Sequence, residues 1–240
     1  MKVPEARRYI LGEYGSWGVL LMSSAAGIAA SGRAGLASLS AFLGVCLAVN
    51  SKQAFAIWNR EKASGVSQSA VIFFVQAVAA SVILMASLGR SLLLLLPAAA
   101  VPLLYFLSLR LKGEHALITE ASGFMSLALA SLAVRAASDD QIDYRLYAAV
   151  AAFFVAGVFR VRLQLKKTSA ARNVLALYVV GAALLYYCLG LPLLLLVPLL
   201  DDLVFAILVY KVGLKATGRI EMLKGIAFVA IMASRFSPLR

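Results

Sequence analysis

Residues 173–210 read NVLALYVVGAALLYYCLGLPLLLLVPLLDDLVFAILVY. As one straight helix, at 1.5 Å per residue, the stretch would be about 57 Å long against a hydrocarbon core of about 30 Å. It must therefore turn, and Gly190-Leu191-Pro192 is the plausible corner. The expected product is an apolar hairpin with helices near 173–189 and 191–210. Full crossing and re-entry both return the chain to the side on which it began, so charge does not separate them.

Outward from the hairpin, further mostly uncharged segments fall near 14–31, 35–57, 66–88, 91–110, 116–135, 145–164 and 222–236. The chain is 62% apolar and 14% charged, with a mean hydropathy of +0.91. Soluble domains carry about 25% charged residues. Barrel strands are shorter and alternate polar with apolar residues, which is not seen here. The expected fold is an all-α integral membrane bundle of nine transmembrane helices, one polytopic domain over residues 1–240, with loops too short for a soluble domain.

The Lys and Arg residues divide between two sides. The odd-numbered gaps, counted from the N-terminus, hold Lys2, Arg7, Arg8, Lys52, Arg60, Lys62, Arg110, Lys112, Arg160, Arg162, Lys166, Lys167, Arg172, Lys211, Lys215, Arg219 and Lys224. The even-numbered gaps and the C-terminus hold only Arg33, Arg90, Arg135, Arg145, Arg235 and Arg240. Cytoplasmic loops retain positive charge, so the partition predicts an N-terminus inside and a C-terminus outside, in the cytoplasmic membrane. A net charge of +12 would suggest nucleic acid in a soluble protein. Here the positive residues orient helices and touch anionic headgroups, worth about 1 kcal/mol each near the surface. No basic loop is long enough to cradle a duplex, so the lipid bilayer is the expected partner and nucleic acid is not. The basic start before the first apolar run resembles a signal peptide. That run, however, holds Glu13, Ser16, Ser23 and Ser24, and eight further spans would anchor the chain regardless.

Charges within spans cost about 2.5–3.5 kcal/mol at mid-helix on insertion scales, so each needs a reason. Asp201 lies roughly 15 Å beyond Leu191, near the midplane, with Asp202 beside it. Adjacent helical residues point about 100° apart, so the two are not expected to share one partner unless Pro198 loosens the turn. One reading makes the pair a cation, proton or metal site. The other makes it a buried ion pair with Arg135 or Lys52, or shifts the span so that the two acids lie nearer an interface. Pro97, Pro102 and Pro198 fall inside spans and are expected to kink them.

On span 2, Asn50, Lys52, Gln53 and Arg60 gather at the inner end; on span 6, Arg160, Arg162 and Lys166 do the same. Asn50 and Gln53 share a helix face, as do Arg162 and Lys166. These residues are placed to line a cytoplasm-facing pocket for an anionic lipid or small anion, or else to snorkel and set orientation. Glu120, about one turn into the bilayer, is expected to pair with one of the basic residues. His115 is the only histidine, and Cys46 and Cys188 sit inside spans, so no metal ligand set or disulfide framework follows. No cofactor is expected.

Two stretches carry a family resemblance. Leu11-Gly12-Glu13-Tyr14-Gly15-Ser16-Trp17-Gly18-Val19-Leu20 resembles the Glu-His-Gly-Ala-Trp segment that opens the YwiC-like membrane proteins. Gly157-Val158-Phe159-Arg160-Val161-Arg162 resembles the aromatic-x-Arg ending of a later span in that family, and Lys215-x-x-Gly218-x-x-Glu221 is similar to the run before its last span. Glu13, Tyr14, Gly15 and Trp17 carry the first motif. Tyr14 stands where the family has His, and Tyr does not titrate near neutrality. Any proton or ligand role of that His would be altered here. The resemblance implies a fold more than an activity.

Nine helices with polar inner ends on spans 2 and 6 also resemble the UbiA prenyltransferase architecture, in which Asp-rich motifs on those helices hold magnesium and a prenyl diphosphate. This chain has Asn50-Ser51-Lys52-Gln53-Ala54 at the first motif and no Asp between Arg160 and Lys166. Mg2+ is therefore expected only if a prenyltransferase-type enzyme works from a different acidic site around Asp201 and Asp202. The sequence is compatible with three activities: binding or translocation of an anionic or lipophilic ligand, such an enzyme, and a non-catalytic assembly component.

Overall fold

The computed structural model describes residues 9–10, 12–61, 67–208 and 212–236. Lys2, Arg7, Arg8, Lys62, Lys211 and Arg240 of the charge partition lie outside the described residues, as do Leu11 of the first motif, the start of the 66–88 span and the end of the 191–210 span. The described secondary structure is helical: α1 Tyr14–Ser31, α2 Leu36–Glu61, α3 Gln68–Leu88, α4 Ser91–Leu95, α5 Ala100–Lys112, α6 Leu117–Asp139, α7 Tyr144–Lys166, α8 Ser169–Cys188, α9 Val197–Leu208 and α10 Leu214–Phe236.

Six stretches are long and apolar enough to cross a membrane: Leu36–Glu61, Gln68–Leu88, Ser91–Lys112, Leu117–Asp139, Tyr144–Lys166 and Ser169–Cys188. The chain is a multi-pass membrane protein on this basis. The remaining long elements differ from these six in composition or length. α1 opens on Tyr14-Gly15-Ser16, α9 has only 12 residues, and α10 carries Lys215, Arg219, Glu221 and Lys224 in its first half.

Helix ends follow local chemistry. Ser67 and Thr168 accept from Ala70 N–H and Ala171 N–H, while Asp143 accepts from Arg145 N–H and Leu146 N–H at the start of α7. The corner expected at residues 190–192 is present: Gly190 takes φ +64°, and Leu191 N–H donates to Tyr186 O at 2.9 Å. Pro192 then leads into a 3-10 turn, Leu193–Leu196, ahead of α9.

The prolines behave differently from the kinks expected of them. Pro97 sits in a 3-10 turn, Leu96–Ala99, that separates α4 from α5, whereas Pro102 and Pro198 fall in the first turns of α5 and α9. A first turn has no internal acceptor for those N–H groups, so proline is tolerated there. The fourth apolar segment is thus a broken helix.

α7 is the most buried of the six spans and packs on α6, α8 and α9. Tyr186 Oη and Tyr178 Oη of α8 donate to Ala149 O and Ala152 O of α7, at 2.7 and 2.8 Å. α1 lies between α6 and α10, while α2, α3 and α4–α5 gather on another side of α6. Small residues let α1 and α6 approach closely. A Cβ on Gly27 would stand 2.5 Å from Ser131 O, so only glycine fits at that crossing.

Candidate functional site

The loose packing of α4–α5 against α2 and α3 leaves a cavity of about 630 Å3, bounded by those elements, α6 and one face of α7. Its body is apolar, with Val45, Val49, Leu84, Leu88, Leu92 and Leu127 among its walls. A ring cluster borders it at one end, where Phe55, Trp58 and Phe73 lie beside Phe106; the Phe55 and Phe106 centroids are 4.7 Å apart.

At that same end the walls become polar: Glu13, Ser16, Lys52, Gln53, Arg60, Glu114, His115, Thr119 and Glu120. The basic side chains here are matched with carboxylates. Lys52 Nζ donates to Glu13 Oε2 at 2.9 Å, Arg60 Nη2 to Glu114 Oε1 at 3.0 Å, and Arg162 Nε to Glu120 Oε2 at 2.8 Å. Lys52 Nζ also stands 5.5 Å from the centre of the Tyr105 ring. Burial works against ionisation of Glu13, but Lys52 and the Ser16 hydroxyl outweigh it and hold the carboxyl below its ordinary range.

A second polar assembly lies apart from the cavity, among α7, α9 and α10. Arg160, fully buried, donates through Nη1 to Asp201 and, at 3.0 Å, to Asp202 Oδ1. Its Nε is 3.4 Å from Glu221 Oε1. Lys224 Nζ lies 2.7 Å from both oxygens of Asp202 and 2.8 Å from Glu221 Oε1. The Arg160 guanidinium also stacks on Phe205 at 4.8 Å. Buried charges require this kind of pairing, because desolvating an isolated ion costs several kcal/mol.

The structure divides the residues singled out from sequence between these two places. Glu13, Lys52, Gln53, Arg60 and Glu120 line the cavity. Arg160 does not: it projects roughly 100° around α7 from the face of Gly157, Val158 and Val161 that does. Arg162 holds Glu120 and the His115 carbonyl, Asn50 Nδ2 donates to Tyr9 O at 3.2 Å, and Lys166 is exposed at the end of α7.

Asp201 and Asp202 pair with Arg160 and Lys224, not with Arg135 or Lys52. Arg135 is engaged by Asp143 at 3.0 Å and Asp139 at 3.8 Å. The two aspartates do share a partner, contrary to the geometric expectation, because a long guanidinium from a neighbouring helix reaches between them. In the first motif, Tyr14 is 93% exposed and Gly15 faces open space, whereas Trp17 packs on the core. Among the described residues, no group of three or more His, Cys, Asp or Glu side chains is disposed to hold a metal ion.

Lys224 and Thr119 were not anticipated as site residues. Lys224 had one visible trace, its spacing of three from Glu221 amid Met222, Leu223 and Ile226. Gly157 separates the two assemblies: it lines the cavity, and a Cβ there would meet Glu221 Oε2 at 3.2 Å.

A family model described as YwiC-like protein matches residues 11–135. That range holds α1 through most of α6, and with them most of the cavity wall, whereas the charge network lies beyond it. Neither a curated protein nor a solved structure matches the chain.

Proposed function

The chain belongs to the YwiC-like family, and from that premise we propose that it binds a lipophilic molecule in the cavity among α2, α3, α4–α5 and α6. The supporting observation is the cavity itself, apolar along its length and polar at one end, within the 300–1,000 Å3 range of small-molecule sites. The basic residues at that end face carboxylates, which favours a lipophilic ligand over a small anion. Binding, alone or as part of translocation, is the activity assigned.

The same reading sets α1, residues 193–208 and α10 in the bilayer beside the six long spans. It turns the basic ends of α2 and α7 toward the cytoplasm, on the strength of the Lys and Arg distribution. Asp201 and Asp202 lie off the cavity in ion pairs, so prenyl transfer from that pair gains no support from the geometry.

The test is Ala48→Phe, which fills the cavity from the middle of α2. Native mass spectrometry of protein released from detergent should show wild type carrying a co-purified or added lipophilic molecule and the variant largely without it. Equal occupancy in both, with helix content unchanged by circular dichroism, would overturn the reading.

A further inference from the structure

Thr119, the third residue of α6, is 1% exposed, and its hydroxyl has no hydrogen-bond partner among the described residues. It also lines the cavity. Nearby hydroxyls on α6 do not share this condition: Ser122 Oγ donates to Thr119 O at 3.2 Å, and Ser126 Oγ to Ser122 O at 2.7 Å. The carbonyl one turn before Thr119, that of His115, accepts instead from Arg162 Nη2 at 2.6 Å. A buried hydroxyl left without a partner costs free energy, and native structures rarely leave one without a reason.

From this we infer that the cavity takes a single-chain amphiphile whose uncharged head, a hydroxyl or carbonyl, hydrogen-bonds to Thr119. The inference rests on the lipophilic-ligand reading and adds the identity of the head. Three features of the site carry it. Thr119 belongs to the polar end of the wall, and its hydroxyl is a neutral donor and acceptor with no partner among the described residues. The ion pairs beside it, Lys52–Glu13, Arg60–Glu114 and Arg162–Glu120, are matched one to one, so a charged head would meet pairs whose charge is already balanced and gain less than at a bare cation. The wall along α6 runs from Thr119 to Ala133, about 21 Å at the helical rise, which is the length of one extended chain.

The experiment compares hexadecanol, hexadecyl phosphate and hexadecane as additives to the purified full-length protein in detergent. Affinity is read by native mass spectrometry and by thermal stabilisation, for wild type, Thr119→Val and Thr119→Ser. Wild type should bind hexadecanol more tightly than the other two. Thr119→Val should weaken hexadecanol binding about three- to tenfold, as expected for one lost hydrogen bond, and leave hexadecane unchanged. Thr119→Ser should restore most of the affinity.

Unchanged hexadecanol binding by Thr119→Val, or tighter binding of hexadecyl phosphate by wild type, would overturn the inference. So would equal binding of hexadecane and hexadecanol by wild type, although the cavity reading would then survive. If none of the three binds wild type, the cavity reading fails as well. Should Thr119→Val not fold, the alcohol-against-alkane and alcohol-against-phosphate comparisons in wild type still decide the matter.

Discussion

Replacing Arg160 by Met should expose how much the buried charge network holds α7, α9 and α10 together. Arg160 and Asp202 are both fully buried, and their contact is 3.0 Å. Without the guanidinium, Asp202 and Glu221 keep the Lys224 ammonium, one cation for two carboxylates. Removing one partner of a buried pair costs about 3–5 kcal/mol, and Met recovers little of it because it fills space without neutralising charge. Asp201, about a third exposed (36%), contributes the smaller share of that cost, since water screens it. The double variant Arg160→Met/Asp202→Asn removes one carboxylate along with the cation and should unfold later than Arg160→Met alone. The assay is SDS titration in mixed micelles followed by far-UV circular dichroism. A coupling of about 0.5–3 kcal/mol is expected between the two positions. Loss of less than about 1 kcal/mol in Arg160→Met, or strict additivity in the double variant, would refute the view that the network is a cohesive element.

Two glycines on α1 and α10 make opposite predictions for substitution by alanine. At Gly27 the new Cβ meets backbone, Ser131 O at 2.5 Å, so Gly27→Ala should lower thermal stability by about 1–3 kcal/mol as overpacking. At Gly225 it meets the flexible Met22 side chain at 3.3 Å, so Gly225→Ala should be neutral or gain up to about 1 kcal/mol of helix propensity. Equal melting shifts in the two variants would contradict the close-approach argument. At Glu13, the carboxyl is held below the ordinary value of 4.5, so its pair with Lys52 stabilises the fold in full above that pH. That contribution is lost as pH falls through the lowered value. The pair is partly exposed, so its worth is under about 1 kcal/mol. Wild type should therefore melt slightly above Glu13→Gln at pH 7, with the gap closing below about pH 4.5. A gap that widens on acidification would reverse the sign and defeat the assignment.

What could be read from the sequence was whatever depends on length, apolarity and local turn chemistry. The corner at Gly190-Leu191-Pro192 follows from the impossibility of a 57 Å helix in a ~30 Å core, and the structure turns there. The breaking of the fourth apolar segment was only half legible. Pro97 marked the spot, but a proline reads equally as a kink or a break until neighbouring helices decide.

Glu120 does pair with one of the basic residues, Arg162, whereas Asp201 and Asp202 were legible as buried acids but not with their partners. Residues 52, 60, 160 and 162 look alike in sequence because each ends a helix on the basic side. Only rotation about α7 separates Arg160 from the cavity, and that rotation is set by packing. Lys224 and Asp202 are 22 positions apart on different helices, so nothing local ties them. Thr119 was invisible for a simpler reason: burial without a partner is a property of three-dimensional surroundings.

The placement of α1 bears on how the chain is assembled in the membrane. Its partners are α6, which begins at Leu117, and α10, which begins at Leu214, whereas it barely touches α2, its immediate successor. α1 is made before either of these partners and is thus enclosed late. It has to wait in lipid, or beside an insertion factor, while most of the chain is synthesised, with Ser23, Ser24 and Gly27 on a face that has no helix to meet. Truncations that end before Leu214 leave one side of α1 uncovered, and those that end before Leu117 leave it almost without a neighbour. Closure of this bundle is accordingly a late, long-range event, governed by contacts far apart along the chain.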